Sequence, residues 1–220
     1  MKEKAIVLLS GGMDSVCALY DSMAKYEVVL SVSFDYGSKH NAKELPYAEH
    51  HSKLFNIEYI VIELSFMEQY FESSLLKGGV DIPEGEYKES NMKQTVVPFR
   101  NGIMLSIAAG LAESRGCNVI VIGAHADDNT VYPDCREEFI SAFSSAMVLG
   151  TYSKVKVYAP FINMNKTQIA LRGKELDIDF SKTWSCYKGE EHHCGKCGTC
   201  VQRINAFKEA QISDPTTYNP

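Results

Sequence analysis

A chain of 220 residues, 45% apolar and 23% charged, has the size and balance for one domain with a full core and a small appendage. A net charge of −6 at pH 7 argues against a general nucleic-acid surface, and no stretch reaches the roughly 20 apolar residues of a membrane helix. Met1-Lys2-Glu3-Lys4 opens onto an apolar run too short for a signal sequence. A cytoplasmic protein is expected, with no membrane and no direct nucleic-acid binding.

Ala5-Ile6-Val7-Leu8-Leu9 reads as a strand running straight into Ser10-Gly11-Gly12-Met13-Asp14-Ser15. Two adjacent glycines let the backbone turn sharply and bring N–H groups close to an anion. A helix starting near Asp14 aims its positive end at the same point. Ser10 and Ser15 add hydroxyl donors, and Asp14 could hold the Mg²⁺ that accompanies a nucleotide. No lysine follows Gly12, so this is not the common P-loop, and the G-x-G-x-x-G of dinucleotide folds is absent. An ordinary tight strand-to-helix turn is the plain alternative.

Residues 28–34 and 57–62 read as further strands. Between them, residues 41–55 carry a helical pattern with Leu45, Ala48 and Leu54 inward, Pro46 near the first turn, and His50 and His51 on the surface or partly packed. This β-α-β-α-β alternation predicts a parallel sheet with right-handed crossovers. Residues 77–95, with Gly78-Gly79, Pro83 and Gly85, predict an exposed excursion, either disordered or a lid. A helix is expected over 101–115, with Ile103, Ile107 and Leu111 on its inner face and Gly116 as its stop.

Residues 118–123 form a charge-free fourth strand, expected to be buried on both faces, and 154–158 a short fifth. Asp134 and Glu137 have capping-box spacing for a helix with Phe139, Ile140, Phe143 and Met147 inward; Asn165 and Gln168 share that spacing at the next helix. The expected fold is α/β, a doubly wound, mostly parallel five-stranded sheet. It divides into a nucleotide-binding domain over 1–180 and a cysteine-rich segment with a final helix, over 181–220, packed on the same domain.

Ligands of open parallel sheets gather at the carboxyl ends of the strands. The segments expected there are 10–15, 35–40, 124–136 and 160–166. Arg100 and Lys166 stand at helix starts, where the dipole disfavours a cation, so an anion is their expected partner. The loop containing His125, Asp127, Asp128, Asp134 and Arg136 is either a polar pocket or a solvated loop. Cys17 and Cys117 read as small buried hydrophobes. Cys186, Cys194, Cys197 and Cys200, with glycines at 195 and 198, can present four thiolates to one structural Zn²⁺. His193 could replace one of them, and an iron–sulfur cluster is the rival.

SGGMDS, Tyr36-Gly37, VPFRN, GAHADD, YPDCR, TWSCY and CGKCGTC, taken in order, resemble the 7-cyano-7-deazaguanine synthase family of the PP-loop ATP pyrophosphatases. These are the nitrile-forming enzymes of queuosine biosynthesis, with an adenine nucleotide alpha hydrolase-like fold. Two departures stand out: Ser38-Lys39 where Gln-Arg is usual, and Phe99 where Gly or Ala is usual. The resemblance implies an ATP-dependent ligase that turns 7-carboxy-7-deazaguanine and free ammonia into 7-cyano-7-deazaguanine, through an activated carboxylate and an amide.

It further implies that Ser10, Gly11, Gly12 and Ser15 hold the departing pyrophosphate, with Asp14 on Mg²⁺. Leu8, Leu9, Met13, Val16, Cys17 and Ala18 would line the nucleotide, and Arg100 and Lys166 would steady phosphate charge. Asp134 and Arg136 would read the deazapurine edge or hold its carboxylate. A homodimer is plausible from the same resemblance. The rivals are a PP-loop tRNA thiolase or lysidine-type ligase, which needs a basic surface or reactive thiol, and a non-enzymatic zinc-ribbon regulator.

Overall fold

The computed structural model describes residues 2–219. Strand β1 (Lys4–Leu8) lies at the centre of the sheet, with Ala5 and Val7 turned to one core layer and Ile6 and Leu8 to the other. It pairs in parallel with β2 (Glu27–Asp35) and β4 (Val119–Val121), so that Ile6 stands opposite Leu30 on one side and Ile120 on the other. With β3 (Glu58–Glu63) and β5 (Lys156–Tyr158) at the edges, the order is β3-β2-β1-β4-β5, parallel throughout. β4 is fully buried on both faces, as its lack of charge predicts.

The helices are α1 (Met13–Lys25), α2 (Asn41–Leu54), α3 (Ser65–Tyr70), α4 (Glu89–Met92), α5 (Arg100–Ser114), α6 (Glu137–Gly150), α7 (Lys166–Glu175) and α8 (Gly198–Glu209). One core layer takes Val16 of α1, Ala48 of α2, Ile169 of α7 and Phe207 of α8; the other takes Leu105 and Ala108 of α5 with Ile140 and Met147 of α6. Helices on both faces of a parallel sheet make the doubly wound architecture. No single described helix is long and apolar enough to cross a membrane.

Several local expectations change. In α2, Pro46 lies in the second turn, not the first. Leu54 is 60% exposed, and the inward positions are Ala48, His51 and Ser52. His51 is buried, its ring nitrogens bonded to the Tyr20 hydroxyl (3.1 Å) and the Lys182 carbonyl (3.0 Å). In α5 the deepest face is Leu105, Ala108, Ala109 and Ala112; Ile103, Ile107 and Leu111 are half-buried on its flank. Small residues let this helix lie close to the sheet, which a search for large apolar side chains overlooks. Gly116 ends it as expected, in the left-handed region, with Cys117 N–H donating to the Ala112 carbonyl at 2.8 Å.

The start of α6 has no capping box: Arg136 is its N-cap and makes no side-chain cap bond. Asp134 instead accepts the Asn101 N–H at 2.7 Å and so caps α5. The residue before α5, Phe99, has φ +51°, a left-handed conformation uncommon for a residue with a side chain. Its ring packs edge-on against Phe139 and Phe143.

The 77–95 excursion is packed rather than merely exposed. Met92 and Thr95 are buried, Gly85 N–H donates to the Lys196 carbonyl at 2.8 Å, and Lys39 reaches the carbonyls of Gly79 and Val80. The tail crosses the sheet's working end, where Trp184 N–H donates to the Gly11 carbonyl at 3.0 Å. It is anchored by Arg203 of α8, which is wholly buried and bonded to Asp214, Thr183, Ser185 and the Phe180 carbonyl.

Removing one partner of a buried, hydrogen-bonded ion pair typically costs about 3–5 kcal/mol. Arg203→Met should therefore lower the free energy of urea unfolding by a loss of that order. A change within about 0.5 kcal/mol, the ordinary range for surface substitutions, would show that Arg203 does not anchor the tail.

Candidate active site

The cleft opens at the carboxyl ends of β1, β2 and β4, where Leu9, Phe34 and Ile122 form its floor. Its most ordered part is the turn from β1 into α1. Gly11 has φ +93°, and a Cβ there would lie 2.2 Å from the Glu44 carbonyl oxygen, so only glycine fits. On the far side, a Cβ on Gly123 would lie 2.9 Å from the α1 backbone at Asp14 and Ser15, which lets the end of β4 press against the helix start. The Ser10 and Ser15 hydroxyls are 3.0 Å apart; Ser15 donates to the Gly12 carbonyl and Gly12 N–H donates to Ser10 Oγ. These bonds fix the shape of the turn. Gly12 is the N-cap of α1 and has no side chain to offer the first-turn N–H groups, so the positive helix end faces the cleft uncapped.

Asp14 projects from that first turn and pairs with the ammonium of Lys166, the first residue of α7. Burial pushes the Asp14 carboxyl up, but Lys166, aided by His125, outweighs this and holds it below the ordinary carboxylate value. Its second oxygen, Oδ1, is buried without a hydrogen-bond partner among the described residues. The capping box predicted at Asn165 and Gln168 is formed, and it sets where α7 begins and hence where Lys166 stands.

Arg100, the first residue of α5, lines the opposite side of the cleft and donates to the Tyr36 hydroxyl at 3.0 Å. The structure therefore brings Asp14, Lys166 and Arg100 to one cleft. Asp134 and Arg136 do not line it: Asp134 caps α5, and the exposed Arg136 donates to the Asn129 carbonyl. Leu8, Leu9, Ser10, Gly12, Met13 and Ser15 line the cleft, whereas Val16, Cys17 and Ala18 lie in the core behind it.

Other lining groups escaped the sequence reading. Tyr87, from the 77–95 segment, donates to Asp128 at 2.8 Å, and Tyr187 follows directly on Cys186. His125 was visible only as part of a polar loop; its Nε2 lies 3.7 Å from Asp14 and 3.3 Å from Asp128. Glu44 comes from the first turn of α2, whose folded position beside Gly11 no local motif reveals.

Cys186, Cys194, Cys197 and Cys200 are buried with their sulfurs all within 4.8 Å of one another. Tetrahedral bonds of about 2.3 Å would place thiolates about 3.8 Å apart, so the cluster could hold a metal ion. The N–H groups of Lys196 and Cys197 donate to Cys194 Sγ at 3.4 and 3.2 Å. His193 stands outside the cluster and accepts the Ser185 N–H at 3.0 Å.

Burial pushes the Glu44 carboxyl from 4.5 up to about 8. Between those values the unfolded chain has released the proton that the folded chain keeps, so stability falls as pH rises. Glu44→Gln removes this term. Thermal melts at pH 5 and pH 8 should show the variant gaining on the wild type at the higher pH, by no more than a few kcal/mol. A difference independent of pH would mean that Glu44 is ionised in the folded protein.

The family model described as "Queuosine biosynthesis protein QueC" matches residues 4–211. The chain is 52% identical over 217 residues to the 7-cyano-7-deazaguanine synthase of Porphyromonas gingivalis, covering 99% of this chain and 98% of that protein. With the enzyme of the same name from Desulfotalea psychrophila it shares 49% over 214 residues, covering 97% and 98%. Among solved structures, NMN synthetase from Francisella tularensis aligns over 96% of this chain and 73% of its own, with a TM-score of 0.50 at 12% identity, a likeness of fold alone. Matched from β1 to beyond α8 and nearly end to end with these relatives, the chain belongs to the QueC family of queuosine biosynthesis proteins.

Proposed function

We propose that this chain is an ATP-dependent ligase that converts 7-carboxy-7-deazaguanine and ammonia into the nitrile 7-cyano-7-deazaguanine. The near-full-length likeness to the synthases that carry that name supports the reading. The observation that carries it is the uncapped start of α1 beside Asp14 and Lys166, an anion site at the strand ends.

A carboxylate resists ammonia because its leaving group would be oxide. In the proposed first step a carboxylate oxygen bonds to the α-phosphorus of ATP while the bond to pyrophosphate breaks. The N–H groups at the start of α1 and the ammonium of Lys166 would take up the charge on the departing pyrophosphate. Ammonia then attacks the acyl carbon, AMP leaves, and an amide forms. A second ATP then transfers an adenylyl or phosphoryl group to the amide oxygen; that oxygen leaves bonded to the transferred group, the nitrogen gives up its two protons, and the nitrile remains.

The donor set fits two ions. Asp14, with its unpartnered buried Oδ1, would hold Mg²⁺, which neutralises phosphate charge when bound. Cys186, Cys194, Cys197 and Cys200 would hold one structural Zn²⁺, since four thiolates leave no position open for chemistry. Residues 181–220 then form a zinc-held piece of the same domain as residues 1–180. A cytoplasmic homodimer completes the reading, with the exposed Leu149 in the last turn of α6 and Tyr152 just beyond it offering an apolar patch. A sulfur-transfer reading is disfavoured: burial pushes the Cys135 thiol well up, away from the ionised state that such chemistry uses.

Incubation with 7-carboxy-7-deazaguanine, ATP, Mg²⁺ and ammonium should yield the nitrile by mass spectrometry, and Asp14→Ala should abolish ATP consumption while the far-UV spectrum stays native. Unchanged turnover in that variant would remove Asp14 from the reaction. Cys197→Ser should lower both bound zinc and melting temperature. Full metal content with an unaltered melt would exclude the zinc site.

A further inference from the structure

Three carboxylates line the cleft, and they are not equivalent. Asp14 is paired with Lys166, and Glu44 sits against the glycine turn, held toward its neutral form by burial. Asp128 is different. Its Oδ1 accepts from the Tyr87 hydroxyl and its Oδ2 faces His125, which leaves lone pairs free on both oxygens. Neither lysine nor arginine lies within salt-bridge distance of it among the described residues. Arg100 is its counterpart. Among the described residues no carboxylate pairs with that guanidinium; its hydrogen bond goes to the Tyr36 hydroxyl, whose ring it also overlies at 5.5 Å. Four of its five donors lack a side-chain acceptor. Tyr132 and Tyr187, hydroxyls 3.4 Å apart, line the same cleft as Arg100 and Asp128.

Resting on the proposed function, we infer that this chamber is a two-ended clamp for the deazaguanine substrate. Arg100 grips the 7-carboxylate, and Asp128 accepts the N–H groups of the pyrimidine edge. The chemistry of the substrate matches the poles: its anionic group is on the five-membered ring and its paired N–H donors are at the far end of the six-membered ring. A guanidinium suits a carboxylate because its planar fork can donate two bonds at once, and a carboxylate returns the same pattern to two adjacent N–H groups. The tyrosine rings supply faces for the flat bicycle. Tyr36 acts through Arg100 and is a positioning residue.

The test measures kcat/KM at saturating ATP and ammonium for three compounds: the acid, its 7-carboxamide, and an acid lacking the exocyclic amino group. Loss of a charge-assisted bond is typically worth about tenfold or more. Arg100→Gln should lower the acid at least tenfold more than the neutral amide, and Arg100→Lys should recover part of that gap. Tyr36→Phe, which removes only the orienting hydroxyl, should raise KM for the acid with a smaller effect on kcat. Asp128→Asn should erase most of the wild-type preference for the amino-bearing acid over the one lacking it. Misfolding lowers all three compounds alike, so the ratios report the clamp. Equal losses for acid and amide in Arg100→Gln, or an undiminished amino-group preference in Asp128→Asn, would overturn the clamp while wild-type turnover upholds the synthase reading. A wild-type enzyme that converts neither acid nor amide would overturn both.

Discussion

The first turn of α1 brings backbone N–H groups to one point, and the chain supplies no side chain there to accept them. Such an end carries roughly half a positive charge, which Asp14 in the same turn offsets in part and an arriving anion would stabilise further. Everything nearby preserves that opening. Gly11 lets the chain turn without filling the space, Gly123 lets β4 press against the helix, and the paired serines stiffen the loop from within. Lys166 adds a full positive charge beside it, and Asp14 holds that charge in place. Arrival of a magnesium-bound triphosphate would separate that pair, because Asp14 and Lys166 would each gain a stronger partner.

The cysteine-rich tail belongs to the same arrangement. Trp184 holds the glycine turn through a backbone bond, and Ser185 and Tyr187, flanking Cys186, line the cleft. The tail also carries the 77–95 segment, joined to it through Gly85 and Lys196 and through the Glu84–Lys188 ion pair. That segment in turn delivers Tyr87 to Asp128. A metal that orders the four cysteines would thus order the wall of the active site from a distance, without touching substrate.

Features set by short stretches of chain were legible from the sequence. The strand–glycine–helix turn, the capping box at Asn165, the charge-free β4 and the four-cysteine spacing all depend on neighbours a few residues away. Where tertiary contacts decide, reading failed for identifiable reasons. Asp134 had the spacing to cap its own helix, yet a neighbouring helix end competed for it and won. The inner face of α5 is mostly small residues, with Leu105 among Gly102 and three alanines, so its apolar signal was weaker than that of the flanking Ile103, Ile107 and Leu111. Glu44 and Tyr87 come from separate elements, and nothing local to either marks the cleft they share, whereas Asp128 lies in the polar loop after β4 that the sequence reads as a possible pocket. Residues 77–95 had the composition of a solvated loop because much of their attachment is through backbone groups, which composition does not record.

The most direct measurement is a crystal structure with a non-hydrolysable ATP analogue and Mg²⁺. The account predicts the phosphates on the N–H groups that follow Gly11, with Lys166 withdrawn from Asp14 to a phosphate oxygen. A triphosphate seated elsewhere, with the glycine turn empty and the Asp14–Lys166 pair intact, would contradict it.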